Sequence, residues 1–151
     1  MKLIRYNIRV YGILLNHKNE VLVTNEDYKG VKMKKFPGGG HQLGESIVDC
    51  LKREFIEEFN FRIKVTKHLY TTDFLQISAF NSQEQLLSIY YLVQPEEDAQ
   101  LEELSEKLMS TDASGNNQVI NWVALSAVAS YDFTFPIDKK VAAMLSEYLN
   151  N

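Results

Sequence analysis

Apolar and polar residues alternate from Ile4 to Val10, with Ile4, Tyr6, Ile8 and Val10 on one side and Arg5, Asn7 and Arg9 on the other. A two-residue period of this kind predicts a strand with one covered face. The following "YGILL" is apolar on both faces, so the strand runs into the middle of a sheet. "NHKN" has turn chemistry, and "EVLVTN" reads as a returning strand. From Ser46 to Phe59 the period changes. Ile47, Leu51, Phe55 and Phe59 recur every four residues with Val48 beside them, which predicts a helix. Ser46 followed three residues later by Asp49 is a capping-box pattern that fixes its start.

Phe61, Ile63 and Val65 resume the two-residue period, and "QISAF" with "QLLSIYYLV" predicts a further hairpin pair. Residues 95–116 carry the weakest pattern: six acids fall in "PEEDAQLEELSE", and Leu101, Leu104 and Leu108 suggest at most a short surface helix. "VINWVAL" is a last strand. Ile137, Val141, Met144, Leu145 and Tyr148 then line one face of a helix opening after Pro136. Strands with two good helices predict an α/β fold, a sheet covered on both faces as an α/β sandwich. No repeat or linker divides the chain, so residues 1–151 are expected to form one domain.

Composition narrows the function classes. The hydrophobic share of 45% and charged share of 24% are those of an ordinary globular protein. No apolar run is long enough for a membrane span, and "MKLIRYNIRV" lacks a signal peptide's layout. The single cysteine, Cys50, excludes an internal disulfide framework and points to a reducing, cytoplasmic setting, where it packs as a small hydrophobe. The formal charge of −4 and the absence of a basic run argue against polymeric nucleic acid as a partner. The same balance would repel a small anionic substrate unless something positive is added.

The chemistry concentrates in two adjacent stretches. "FPGGGHQLGES" (36–46) holds four of the seven glycines, and "REFIEEF" (53–59) holds Glu54, Glu57 and Glu58. At about 100° per residue, the three carboxylates share an arc of about 100° beside the buried stripe. Like charges at that spacing cost about 0.2–0.5 kcal/mol per pair, and acids in the last turn oppose the helix dipole by about 0.3–1 kcal/mol each. A hard divalent cation would relieve that strain. The competing explanation is a charged, solvated helix face. "GGHQLGES" matches a phosphate-binding P-loop except for Glu45 where lysine is required, and a wrong-sign charge there defeats that mechanism. What survives is a loop whose glycines, Gly38, Gly39 and Gly40, allow close backbone approach to a ligand.

Gly39, five residues, Glu45, seven residues, then Arg53-Glu54-Phe55-Ile56-Glu57-Glu58-Phe59-Asn60-Phe61 resembles the Nudix box of the Nudix hydrolases. One position departs: Asn60 stands where the family has glycine, and asparagine is the best substitute in a left-handed helix-end position. The resemblance implies an α/β/α sandwich with a mixed β-sheet. It also implies hydrolysis of a nucleoside diphosphate linked to another group X, a small-molecule substrate. By position, Glu54, Glu57 and Glu58 would hold Mg²⁺ or Mn²⁺ with help from the Gly38 carbonyl. Arg53 would orient a box glutamate, Glu45 would support the metal shell, and Glu57 would be the general base. An acid of the later loop (Glu96, Glu97, Asp98, Glu102 or Glu103) is the other candidate base. Metal ions would neutralise the diphosphate and lower the pKa of the attacking water.

Homodimers are common in the family, so a dimer is possible. Asp138 is read as a helix-start residue rather than a base-reading one, and Tyr90, Tyr91 and Trp122 as core rather than stacking residues. His17, His41 and His68 lack metal-ligand spacing. The alternative to an enzyme is a Nudix-fold sensor that binds a nucleotide without turnover. It is disfavoured because all box glutamates are present and "EYLNN" ends the sequence without a DNA-binding domain. An isomerase would need ligands outside the box that the sequence does not reveal.

Overall fold

The structure, a computed structural model, describes residues 2–106, 109–111 and 117–148. Leu108, Gly115, Asn116 and the last three residues of "EYLNN" lie outside the described residues, as does the side chain of Tyr148. Eight strands are described: β1 (Arg5–Leu14), β2 (Glu20–Tyr28), β3 (Val31–Lys35), β4 (Gly38–Gly40), β5 (Ile63–Thr71), β6 (Glu84–Pro95), β7 (Met109–Thr111) and β8 (Asn117–Ala124). Three helices accompany them: α1 (Ile47–Phe59), α2 (Ala99–Glu106) and α3 (Pro136–Tyr148). They form two four-stranded sheets, ordered β4-β1-β6-β5 and β3-β2-β8-β7. The first is mixed, because β1 runs parallel to β6 and antiparallel to β4. The second is antiparallel throughout.

Alternation along the central strands supplies a layer on each face. Ile13, Val21 and Val23 pack with Ile137, Val141 and Leu145 of α3. Their neighbours Leu14 and Leu22 pack the other way, with Cys50, Leu51 and Phe55 of α1 and Leu101 and Leu104 of α2. This is the expected α/β/α sandwich. Burying a side chain such as Phe55, fully enclosed here, contributes about 1.5–3 kcal/mol, so α1 is held mainly by its apolar stripe.

Helix α1 begins as its sequence predicts. The Asp49 N–H donates to Ser46 Oγ at 3.0 Å. It ends at Asn60, which adopts the left-handed conformation (φ 51°, ψ 43°) and donates its N–H to Ile56 O. Asparagine thus does the job glycine does elsewhere.

Three expectations need correction. "QISAF" is not a strand: it makes one bridge, Ile77 to Gln85, while β5 pairs with Ile89–Pro95 of β6. Its apolar residues are only partly covered: Ile77 and Phe80 are each 43% exposed, with Phe80 edge-on to Tyr28. The glycine stretch is not a loop, because Gly38–Gly40 pairs with Tyr11–Arg9 as an edge strand. Helix α2 is short as expected but not merely superficial, since Leu101 and Leu104 are buried. A further hairpin, β2–β3, extends through polar residues around Lys29 and Gly30, both with positive φ as a tight hairpin turn requires. Among the described residues no helix is long and apolar enough to cross a membrane.

Candidate active site

Helix α1 packs beneath β4, and Gly39 shows how closely. A Cβ there would overlap the Glu54 carboxylate, so the absent side chain makes room for the acid. At Gly38 a Cβ would strike the Val10 carbonyl oxygen of β1. These two glycines are dictated by close approach rather than by a turn.

Arg53, at the start of the acidic stretch, ties the acids to the backbone. Its Nε and Nη2 form a bidentate pair with Glu45, at 2.9 and 2.8 Å. Nη2 also donates to Gly40 O at 3.0 Å. Nη1 donates to Glu54 at 3.0 Å and to Glu57 at 3.1 Å. These bonds hold the Glu45 carboxyl down to about 2 and push the Arg53 pKa up. The self-repulsion of the helix acids is therefore partly balanced by this one guanidinium.

A cavity of about 540 Å³ opens where the ends of the two sheets face each other across β4. Glu54, Glu58 and Gly38–Gly40 line one wall, and Glu26 of β2 adds a third carboxylate. Arg9, Tyr11 and Lys35 lie among them. Burial pushes the Glu58 carboxyl up to about 7; Lys35 opposes this, and Glu26 and Glu54 add to it. Burial alone would lower the Lys35 pKa, but Glu26 and Glu58 outweigh it, and the ammonium is held charged.

The donor chemistry of the wall formed by Glu54, Glu58 and Gly38–Gly40 fits a hard divalent cation, being carboxylates and backbone oxygen. As the side chains stand, no three His, Cys, Asp or Glu among the described residues converge into a ligand cluster. Arg53 and Lys35 supply the countercharge instead.

A sequence profile described as NUDIX domain matches residues 5–144. The chain belongs to the NUDIX domain family. As a member it is a Nudix-type pyrophosphohydrolase. A MutT protein from Methanosarcina mazei Go1 superposes with a TM-score of 0.72 at 16% identity, over 99% of this chain and 98% of that one. A MutT of Aliivibrio salmonicida or Vibrio cholerae gives 0.58 at 26% identity, over 93% and 99%. A UDP-X diphosphatase gives 0.61 at 12% identity, covering 97% of this chain and 66% of that one. No curated protein matches.

The site residues expected from the sequence divide into two groups. Glu54, Glu58, Gly38, Gly39 and Gly40 line the cavity. Arg53, Glu45 and Glu57 do not; the Glu57 side chain is 58% exposed and bonded to Arg53. The acids of the later loop line no part of this cavity either, and Leu101 and Leu104 of α2 anchor them to the α1 face. Cys50 is buried, and burial raises its thiol to about 12, so it is a packed apolar residue as expected. His41 and His68 bond Glu45 O and Thr71 Oγ1 and stay outside the cavity.

Sequence reasoning missed Arg9, Lys35 and Glu26. A signal for Arg9 existed: it shares its face of β1 with Tyr11 and Ile13, and Ile13 is core.

Asp138 of the first turn of α3 is only 2% exposed and accepts a hydrogen bond from the Tyr90 hydroxyl at 2.6 Å. It lines the cavity rather than capping its helix. Burial raises its carboxyl to about 7, against the pull of Tyr90, Lys35 and Arg9. In the unfolded chain it titrates near about 3.9. Between those values the folded protein keeps a proton that the unfolded chain has lost, so stability falls as pH rises from about 4 to about 7 and then levels. Asp138→Asn removes this loss. Its melting-temperature advantage over wild type should grow across that window and stay constant above it. A pH-independent difference would contradict the assignment.

Proposed function

We propose that the chain hydrolyses the phosphoanhydride link of a nucleoside diphosphate joined to a group X, using Mg²⁺ or Mn²⁺. The observation that carries this reading is one cavity lined by Glu54, Glu58, Glu26 and the Gly38–Gly40 backbone, with cations beside them. Glu54, Glu57 and Glu58, with the Gly38 carbonyl, would hold the ion, which would spread the diphosphate charge and make water a stronger nucleophile.

Gly38, Gly39 and Gly40 present backbone to the diphosphate without side-chain obstruction. Arg53 fixes Glu54 and Glu57 in direction, and Glu45 fixes Arg53. Glu57 accepts the proton of the attacking water. Along β6 the six-residue step from Glu84 to Tyr90 spans roughly 20 Å, room for a nucleotide with its base toward the Asp138–Tyr90 end.

A substrate panel with Mg²⁺ and Mn²⁺ tests the proposal. It should span nucleoside triphosphates, oxidised purine triphosphates, ADP-ribose, dinucleoside polyphosphates and sugar nucleotides, with product analysis to show which P–O bond breaks. At least one class is expected to turn over only when the divalent ion is present. Binding of a nucleotide without any turnover across the panel would favour a sensor instead.

A further inference from the structure

Arg9 on β1 sits opposite Gly40 of β4 and Ser88 of β6, so it belongs to the cavity wall beside the Glu54 carboxylate. Its Nε donates to the Tyr11 hydroxyl at 3.2 Å, and its guanidinium lies 5.9 Å from that ring's centroid. Nη1 lies against Gly40, 3.5 Å from where a Cβ would be. Among the described residues, nothing accepts from the four N–H donors on its two terminal nitrogens, and no ion pair claims them.

Lys35 approaches the same ring from β3, with Nζ 5.6 Å from the Tyr11 centroid. It is 5% exposed, yet its contacts are long: 3.4 Å to Glu26 and 3.4 Å to the Phe36 carbonyl. Tyr11 is itself fixed by stacking on Tyr90, at 5.0 Å between centroids.

Two cations share one rigid ring: among the described residues Arg9 has no ion pair, and Lys35 has only the long one to Glu26, so the two together can take a further anion. Enclosing a charge is costly unless it is paired. An anion that uses the open Arg9 donors would offer two oxygens to a planar fork, which is the geometry of a phosphoryl group. Without these cations, Glu26, Glu54 and Glu58 would repel such an anion.

We propose that Arg9 and Lys35, ordered on Tyr11, form a clamp that grips non-bridging oxygens of the substrate's diphosphate directly, without a divalent ion. The proposal rests on reading this cavity as the diphosphate site. It has a consequence that metal-mediated binding alone lacks: the protein retains affinity for a diphosphate when every divalent ion is chelated.

The test is calorimetric titration of the full chain with inorganic pyrophosphate in EDTA at low ionic strength. Wild type should bind saturably at one site. Arg9→Gln should weaken that binding by about tenfold or more, the scale of lost charged hydrogen bonds. Lys35→Met should weaken it several-fold, and Arg62→Gln, an exposed charge beyond α1, should leave it unchanged. Absence of wild-type binding, equal affinity in Arg9→Gln, or equal loss in Arg62→Gln would overturn the clamp. If Arg9→Gln does not fold, Arg9→Lys serves: it keeps the charge but not the fork, and wild-type affinity there would also overturn it. Arg9-dependent pyrophosphate binding without turnover on any substrate would discard the hydrolase reading and leave the clamp. Turnover with no such binding would discard the clamp alone.

Discussion

Glu54→Gln is expected to lower divalent-ion-dependent turnover by roughly a hundredfold to a thousandfold, the scale for removing one group that stabilises developing charge. The fold should persist, because glutamine keeps the shape and can still meet Arg53. Gly39→Ala should reproduce the loss from the opposite side. Its methyl would occupy the space now filled by the Glu54 carboxylate, so the acid must swing out of the wall it shares with Gly38 and Gly40. Steady-state kinetics beside far-ultraviolet circular dichroism distinguishes this from unfolding. A fully active Gly39→Ala protein would mean that Glu54 does not act from its present position.

Glu57→Gln should cut turnover by several hundred-fold as well, the magnitude typical of acid–base groups. It is the sharper test, because Glu57 stands outside the cavity, exposed and bonded to Arg53. To take a proton from water in the cavity its side chain must turn toward it. Glutamine accepts the same bond from Arg53 yet cannot hold the proton. Undiminished activity in this variant would take Glu57 out of the proton transfer and leave Glu54 and Glu58, which already face the cavity.

Sequence pattern revealed the parts of the fold governed by periodicity. Ile47, Leu51, Phe55 and Phe59 announced α1, Ser46 its start and Asn60 its end, because burial and capping both leave local marks. Strand β4 left none, since three consecutive glycines carry no alternation. Its pairing with β1 is decided by what lies across from it. Hairpin β2–β3 was hidden because its polar residues surround a cavity, not a core. "QISAF" misled for the opposite reason, being apolar but only partly covered. The box acids were visible as a charge cluster, yet nothing local told that Glu54 and Glu58 face inward while Glu57 faces out. Nor could spacing reveal Lys35, whose neighbours Tyr11 and Glu26 arrive from other strands.

The one thiol of the chain lies sealed between the glutamate helix and the sheet, with Sγ 3.6 Å from the Gly40 carbonyl oxygen. An aqueous disulfide dye can reach it only when the contact between that helix and β4 opens. Dye uptake by Cys50 is thus a built-in clock for opening of the very element that carries the acids, readable without adding a label or a second cysteine.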